Sequence, residues 1–208
     1  MKSEILFKII IILLVSLIFI SCLDVETSIN ISNNLSGTWI LKYKIMQEAS
    51  YITPGTELKG YNFLPLSEAG IVERIVETPG LELVSLKSET NIIYTEYYAE
   101  IDFDNSNTIQ NFFNPYVNTQ FLNITQEEGT FEMLLYNPFP DSIDADTLNL
   151  FSSLYSDKNV NISIILPGIV TESNPGLLVE NPSETNINLT IPELFNLTEP
   201  IKWIIKYE

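Results

Sequence analysis

Histidine is absent from the 208-residue sequence, and cysteine occurs once, as Cys22. Without histidine the chain cannot form a Ser-His-Asp or Cys-His catalytic site, and it cannot form the usual zinc sites. A single cysteine also excludes an internal disulfide bond. We therefore expect a protein that is not an enzyme and that has no catalytic residues, no metal site and no cofactor.

Basic residues are also scarce. The chain has 10 Lys and Arg residues against 27 Asp and Glu residues, which gives a formal net charge of −17. A field of this sign repels phosphate backbones, so we expect no nucleic-acid binding, and any charged protein partner should be basic. The hydrophobic content of 45% is that of a folded domain rather than a disordered chain.

Only one long apolar run is present, at residues 9–20. Lys2 and Lys8 precede it and the small residue Ser21 follows it, which is the pattern of an export signal. The run is too short to span a bilayer of roughly 30 Å as a helix. We predict that residues 1–21 are a signal peptide and that residues 22–208 form a single extracytoplasmic domain.

The signal ends on a motif, Phe19-Ile-Ser-Cys22, that resembles a bacterial lipoprotein box in the relaxed form found in spirochaetes. In such proteins the cysteine is acylated, with palmitate among the usual chains, and a peptidase cuts before it. We predict lipid attachment at Cys22, and the alternative is an ordinary signal peptide with an incidental cysteine. The mature chain would carry 8 basic and 26 acidic side chains, a charge of −18, because Lys2, Lys8 and Glu4 are removed.

Strand alternation resumes at Val25, so only Leu23 and Asp24 are expected between the lipid and the fold. The domain should therefore lie almost against the headgroups. We expect its least acidic surface, with Lys42 and Lys44, to face the membrane. The anchored protein would reside in the cell envelope, on the outer face of the inner membrane or in the outer membrane.

The remaining pattern predicts an α+β fold with largely antiparallel strands and two or three short helices. Helical spacing follows Ser67, a candidate N-cap, and a second short helix is expected at 104–114 with its cap near Ser106. A third helix is expected at 143–155. Alternating or β-rich segments predict strands at 24–32, 38–46, 81–86, 92–103, 121–125, 130–136, 160–166, 185–191 and 201–207.

Three patterns permit a ligand reading but have a plainer interpretation. Asp102-Phe-Asp104-Asn-Ser106 begins like a calcium loop but lacks the required Gly and Glu further on. The acidic cluster at 141–146 also precedes an expected helix, and we interpret both as helix capping. Several aromatic residues could line a cavity for an amphiphile, although an ordinary core is the simpler reading: Tyr94, Tyr97, Tyr98, Phe103, Phe112, Phe113, Tyr116 and Phe121.

Residues 160–174 combine a strand, the turn Pro167-Gly168 and the step Ser173-Asn174. With Cys22 and Gly37 of a Ser-Gly-Thr turn, this layout resembles the LppM-like family of bacterial lipoproteins. The resemblance implies a partly barrel-like α+β domain at the cell envelope, with lipid or glycolipid binding proposed for the mycobacterial member and no catalytic residues. Many members continue into a C-terminal membrane helix; the sequence shows none, so we expect anchoring through Cys22.

The expected function is a membrane-anchored, non-catalytic binding module for a lipid or amphipathic ligand. The alternative is a structural or surface lipoprotein that acts through protein contacts. A carboxylate-dependent hydrolase remains a third hypothesis, because carboxylate chemistry needs neither histidine nor cysteine.

Overall fold

The computed structural model describes residues 22–46, 64–114, 120–137, 149, 152, 155–156 and 158–208. The predicted signal peptide, the acidic cluster at 141–146 and nearly all of the third expected helix lie outside these residues. The described part contains eleven strands and three helices. In chain order these are β1 Cys22–Ile31, β2 Gly37–Met46, α1 Glu68–Val76, β3 Leu81–Thr90, β4 Tyr94–Phe103, α2 Ser106–Phe113, β5 Leu122–Glu127, β6 Thr130–Leu135, β7 Asn159–Ile165, β8 Val170–Asn174, β9 Leu177–Leu178, β10 Glu184–Thr190, α3 Ile191–Phe195 and β11 Ile201–Tyr207.

A seven-stranded sheet in the order β3-β4-β2-β1-β7-β10-β9 forms the larger layer. β1 pairs in parallel with β7, whereas the other pairs of this sheet are antiparallel. Side chains of β4 alternate between buried and half-buried along almost the whole strand. One face of this sheet is therefore apolar and turned to the core, and the other is polar and turned to solvent.

The second sheet has four antiparallel strands in the order β5-β6-β11-β8. Its inward side chains, including Phe131, Met133 and Trp203, belong to the same buried cluster as those of the large sheet. The core thus lies between the two sheets. The described strands form two open sheets, so the partly barrel-like arrangement implied by the family resemblance is not confirmed.

Helices α1 and α2 pack against the core through buried side chains, which include Ile71 and Ile75 of α1 and Ile109 and Phe112 of α2. The Ser67 hydroxyl accepts a hydrogen bond from the Gly70 N–H at 3.1 Å, which confirms it as the N-cap of α1. The ring of Phe112 in α2 lies 4.9 Å from that of Trp39 in an edge-to-face contact. Both rings are fully buried, and such packing is what holds a short helix in place.

The structure refines two local predictions, one about the cap of α2 and one about the end of a strand. The cap of α2 is Asn105, whose side chain accepts from the Asn107 N–H at 2.9 Å, whereas Ser106 is buried and donates to Gln126. The predicted strand at 185–191 ends at Thr190, because a capping box of Thr190 and Glu193 starts α3 there.

Candidate functional site

The candidate site is the end of the large sheet at which β1 begins. β1 starts at Cys22, two residues earlier than the sequence pattern suggested, and its first backbone pair joins Cys22 to Ile45 of β2. On its other side β1 pairs with β7 from Val25 onward. The predicted attachment residue is therefore the first residue of a central strand, and Leu23 and Asp24, which were expected to separate the lipid from the fold, belong to that strand.

Two lysines lie at this end on the polar outer face. Lys42 pairs with Glu26 across β1 and β2. Lys44 lies on β2 between Tyr43, which pairs with Val25, and Ile45, which pairs with Cys22. Both lysines are therefore close to residue 24, as expected; their position relative to a membrane stays a prediction. The Lys42 ammonium lies 3.2 Å from Glu96 and 3.3 Å from Glu26, and hydrogen bonds to these carboxylates raise the pKa of Lys42.

The hairpin between β3 and β4 ends in a turn at the same end of the sheet. The sequence pattern assigned residues 92 and 93 to a strand, but the strand begins at Tyr94. Ile92 and Ile93 lie in the turn and are 92% and 58% exposed. The available signal for this turn was Asn91, whose side chain accepts from the backbone N–H groups of Ile93 and Tyr94.

A small apolar cavity lies between the two sheets. Its volume is about 30 Å³. Val25, Thr27 and Ile29 of β1 form one wall, and Phe121, Leu122, Met133 and Leu135 contribute to the opposite side. A cavity of this size holds one or two water molecules at most, and its apolar lining offers water no partners.

The aromatic residues that suggested a ligand cavity divide into three groups. Five are buried in the core, and two of these, Phe113 and Phe121, also line the cavity. Tyr94 and Tyr98 lie on the outer face, where the ammonium groups of Lys44 and Lys87 stand 5.3 Å and 5.8 Å from their ring centroids. Tyr116 lies outside the described residues. The core interpretation therefore accounts for most of the group.

No protein-family model matches the sequence, and no curated protein matches it. The structure is similar to a solved one. The NMR structure of the folded domain of Mycobacterium tuberculosis LppM aligns with a TM-score of 0.48 and 12% sequence identity. The alignment covers 91% of this chain and 92% of that chain.

The Asp102-Phe-Asp104 segment borders an open cleft at the opposite end of β4. The cleft has a volume of about 350 Å³ and is lined by Gly80, Glu82 and the two aspartates among others. Asp102 accepts a hydrogen bond from the Thr38 hydroxyl at 2.9 Å. Within the described ranges, no group of three or more metal-ligating side chains comes together, so the calcium reading gains no support.

None of the helices in the described part of the chain is long and apolar enough to span a membrane.

Proposed function

We propose that this chain is a bacterial envelope lipoprotein, anchored through acylated Cys22, whose domain is a non-catalytic binding module. The observation that carries the proposal is the start of β1 at Cys22, immediately after the residues predicted to be an export signal. Two or three acyl chains on one residue suffice for stable anchoring, since each buried CH₂ contributes about 0.8 kcal/mol. The sheet itself would then stand directly on the bilayer.

For the ligand we propose a lipid or another amphipathic molecule that enters between the two sheets. The support is the apolar cavity bordered by β1, β5, β6 and β7. β6 contributes Met133 to its lining, and β7 contributes Val160. About 30 Å³ is far less than the roughly 150 Å³ at which an apolar cavity accepts benzene. Binding therefore requires the sheets to separate, with Phe113 and Phe121 as the side chains that must move.

Native mass spectrometry of residues 22–208 carrying Cys22→Ser tests this ligand, because all of β1 is kept and acylation is prevented. We expect copurified lipid in the parent and a clear loss of it in Val160→Phe, whose ring would fill the cavity. Val170→Phe is the matched control, since Val170 is equally buried at 7% exposure against 6% but does not line the cavity. A parent free of lipid, or equal lipid in both variants, contradicts the ligand.

Protein contact is the second candidate, and one surface favours it. Leu177 and Leu178 form the short edge strand β9 and are 66% and 58% exposed. Exposed apolar edge strands invite pairing with another chain. A photo-crosslinking residue at Leu177 should give one defined adduct in cells, whereas the same residue at Val84, which is 52% exposed on the other edge strand β3, should give none. Equal labelling at both positions contradicts a specific contact.

A further inference from the structure

The turn between β3 and β4, residues 91–94, presents two isoleucines to solvent in a fixed conformation. The Asn91 N–H donates to the Tyr94 carbonyl at 2.9 Å, and the Asn91 side chain accepts from the N–H groups of Ile93 and Tyr94 at 2.8 Å and 2.9 Å. The apolar pair is therefore held by three hydrogen bonds. Exposed isoleucines are unusual at a turn, where polar residues are the rule.

The strand register puts this turn beside Cys22. Cys22 pairs with Ile45, Ile45 pairs with Thr95, and Thr95 pairs with Thr90. One row thus crosses four adjacent strands from the lipid attachment residue to the last pair of the hairpin. At about 4.8 Å between strands, the hairpin lies roughly 10–15 Å from Cys22 across the sheet.

The turn also extends beyond that row. Residues 91–94 follow the Thr90 and Thr95 pair, so they project away from the body of the sheet by up to about 7 Å, at roughly 3.3 Å per residue. A bilayer that holds acyl chains on Cys22 therefore meets the turn before it meets the rest of β3 and β4.

The residues around the turn suit a bilayer interface. Tyr94 adjoins the isoleucines with Lys44 at its ring, and tyrosine with lysine is typical of the headgroup region. Residues 22–26, 42–46 and 87–98 together carry three lysines and four carboxylates, a net charge of −1 in a mature chain of −18. Repulsion from anionic headgroups by these residues around the turn is accordingly weak.

We propose that the turn of residues 91–94 is a second membrane contact, in which Ile92 and Ile93 enter the bilayer next to the acyl chains of Cys22. This inference rests on the proposed anchoring. It goes further because it fixes the orientation of the domain, with β1 to β4 standing end-on and both sheets rising away from the surface.

The test uses the acylated protein reconstituted in phosphatidylcholine and phosphatidylglycerol vesicles. Because acylation consumes the only thiol of the chain, Ile92→Cys can be labelled with an environment-sensitive fluorophore at one position. We expect quenching by spin-labelled lipids to be several-fold stronger at position 92 than in the matched control Leu177→Cys. Leu177 is also exposed and apolar, but it lies far from the proposed membrane end. It pairs with Asn186, Asn186 pairs with Ser163, and Ser163 pairs with Ser28. Ser28 lies about 17–20 Å along β1 from Cys22.

Flotation of the same samples with the vesicles distinguishes failure of the membrane contact at the turn from failure of the anchor at Cys22. Protein that floats but is quenched no more at position 92 than at position 177 overturns the membrane contact and leaves the anchor standing. Protein that does not float overturns both. Shielding of position 92 from water without lipid quenching also overturns the proposal, because it indicates a protein partner at the turn.

Discussion

Removal of the Ser173 hydroxyl should destabilise the domain, because this hydroxyl joins the two sheets. Ser173 lies on β8 of the smaller sheet and accepts the indole N–H of Trp203 at 2.9 Å. The Thr185 hydroxyl, on β10 of the larger sheet, stands 2.7 Å from the same oxygen. Gly176 leaves the space for this cluster, since a Cβ there would clash with the indole nitrogen of Trp203.

The expected magnitude follows from what Ser173→Ala leaves behind. Trp203 is fully buried, so its N–H would lose its acceptor, which costs about 1–3 kcal/mol. Thr185 keeps a second acceptor in the Leu177 carbonyl at 2.8 Å, so it adds little. We expect a loss of about 2 kcal/mol in the free energy of unfolding, or about 4–8 °C in Tm for a domain of this size.

Urea unfolding of residues 22–208 carrying Cys22→Ser measures this loss. The matched control is Ser28→Ala, the same substitution on the polar outer face of β1, which should change the free energy by less than about 0.5 kcal/mol. In a double-mutant cycle with Trp203→Phe, the combined loss should fall short of the sum by about 1–2 kcal/mol, because the indole donor is then gone. Equal losses for Ser173→Ala and Ser28→Ala, or strictly additive effects in the cycle, refute the reasoning.

Two further predictions concern the large sheet. Gly37→Ala should lower the free energy of unfolding by about 3 kcal/mol or more, since a Cβ at Gly37 would clash with the Asn30 carbonyl oxygen in the adjoining strand. The control Gly70→Ala in α1 should change Tm by no more than about 3 °C. Similar thermal shifts in the two variants would contradict the packing described. Burial, with Glu68 adding to it, raises the pKa of Tyr97, so its contribution to stability is complete below the unfolded value of about 10 and is lost as pH rises through the folded value. The free energy of unfolding, measured from pH 8 to 11, should therefore fall less steeply above pH 10 in Tyr97→Phe than in the parent. An unchanged slope would show that other groups cause the loss of stability at alkaline pH.

Elements with strong local alternation were predictable from the sequence. β2 and β4 each carry apolar residues at every second position, and their bounds agree with the pattern to within two residues. The N-cap at Ser67 was also readable, because a side-chain oxygen before a helical repeat is a local signal.

The missed strands depend on pairing with other strands rather than on a pattern in their own residues. β8 and β9 are mostly exposed and polar or very short, so they have no alternation, and they exist through pairing with β11 and β10. The parallel pairing of β1 with β7 likewise joins segments separated by more than 100 residues. α3 did carry a signal, the Thr190-x-x-Glu193 capping box with Pro192 in its first turn, but β-rich neighbours concealed it.

The candidate site was predictable in part. The positions of Cys22 and the two lysines were read from the predicted export signal and the opening hairpin, which are both local patterns. The exposed turn at Ile92 and Ile93 was not predicted, since two isoleucines before a tyrosine are typical of a strand. Only the register across β1, β2, β4 and β3 brings that turn to the end of the sheet where Cys22 lies.

Labelling of cells with radioactive palmitate, followed by isolation of this protein, tests the central claim most directly. We expect the mature chain to begin at Cys22 and to carry the label, and we expect Cys22→Ala to be unlabelled and to retain residues 1–21. Label that persists in Cys22→Ala, or an unlabelled wild-type chain cleaved elsewhere, would contradict anchoring through the first residue of β1.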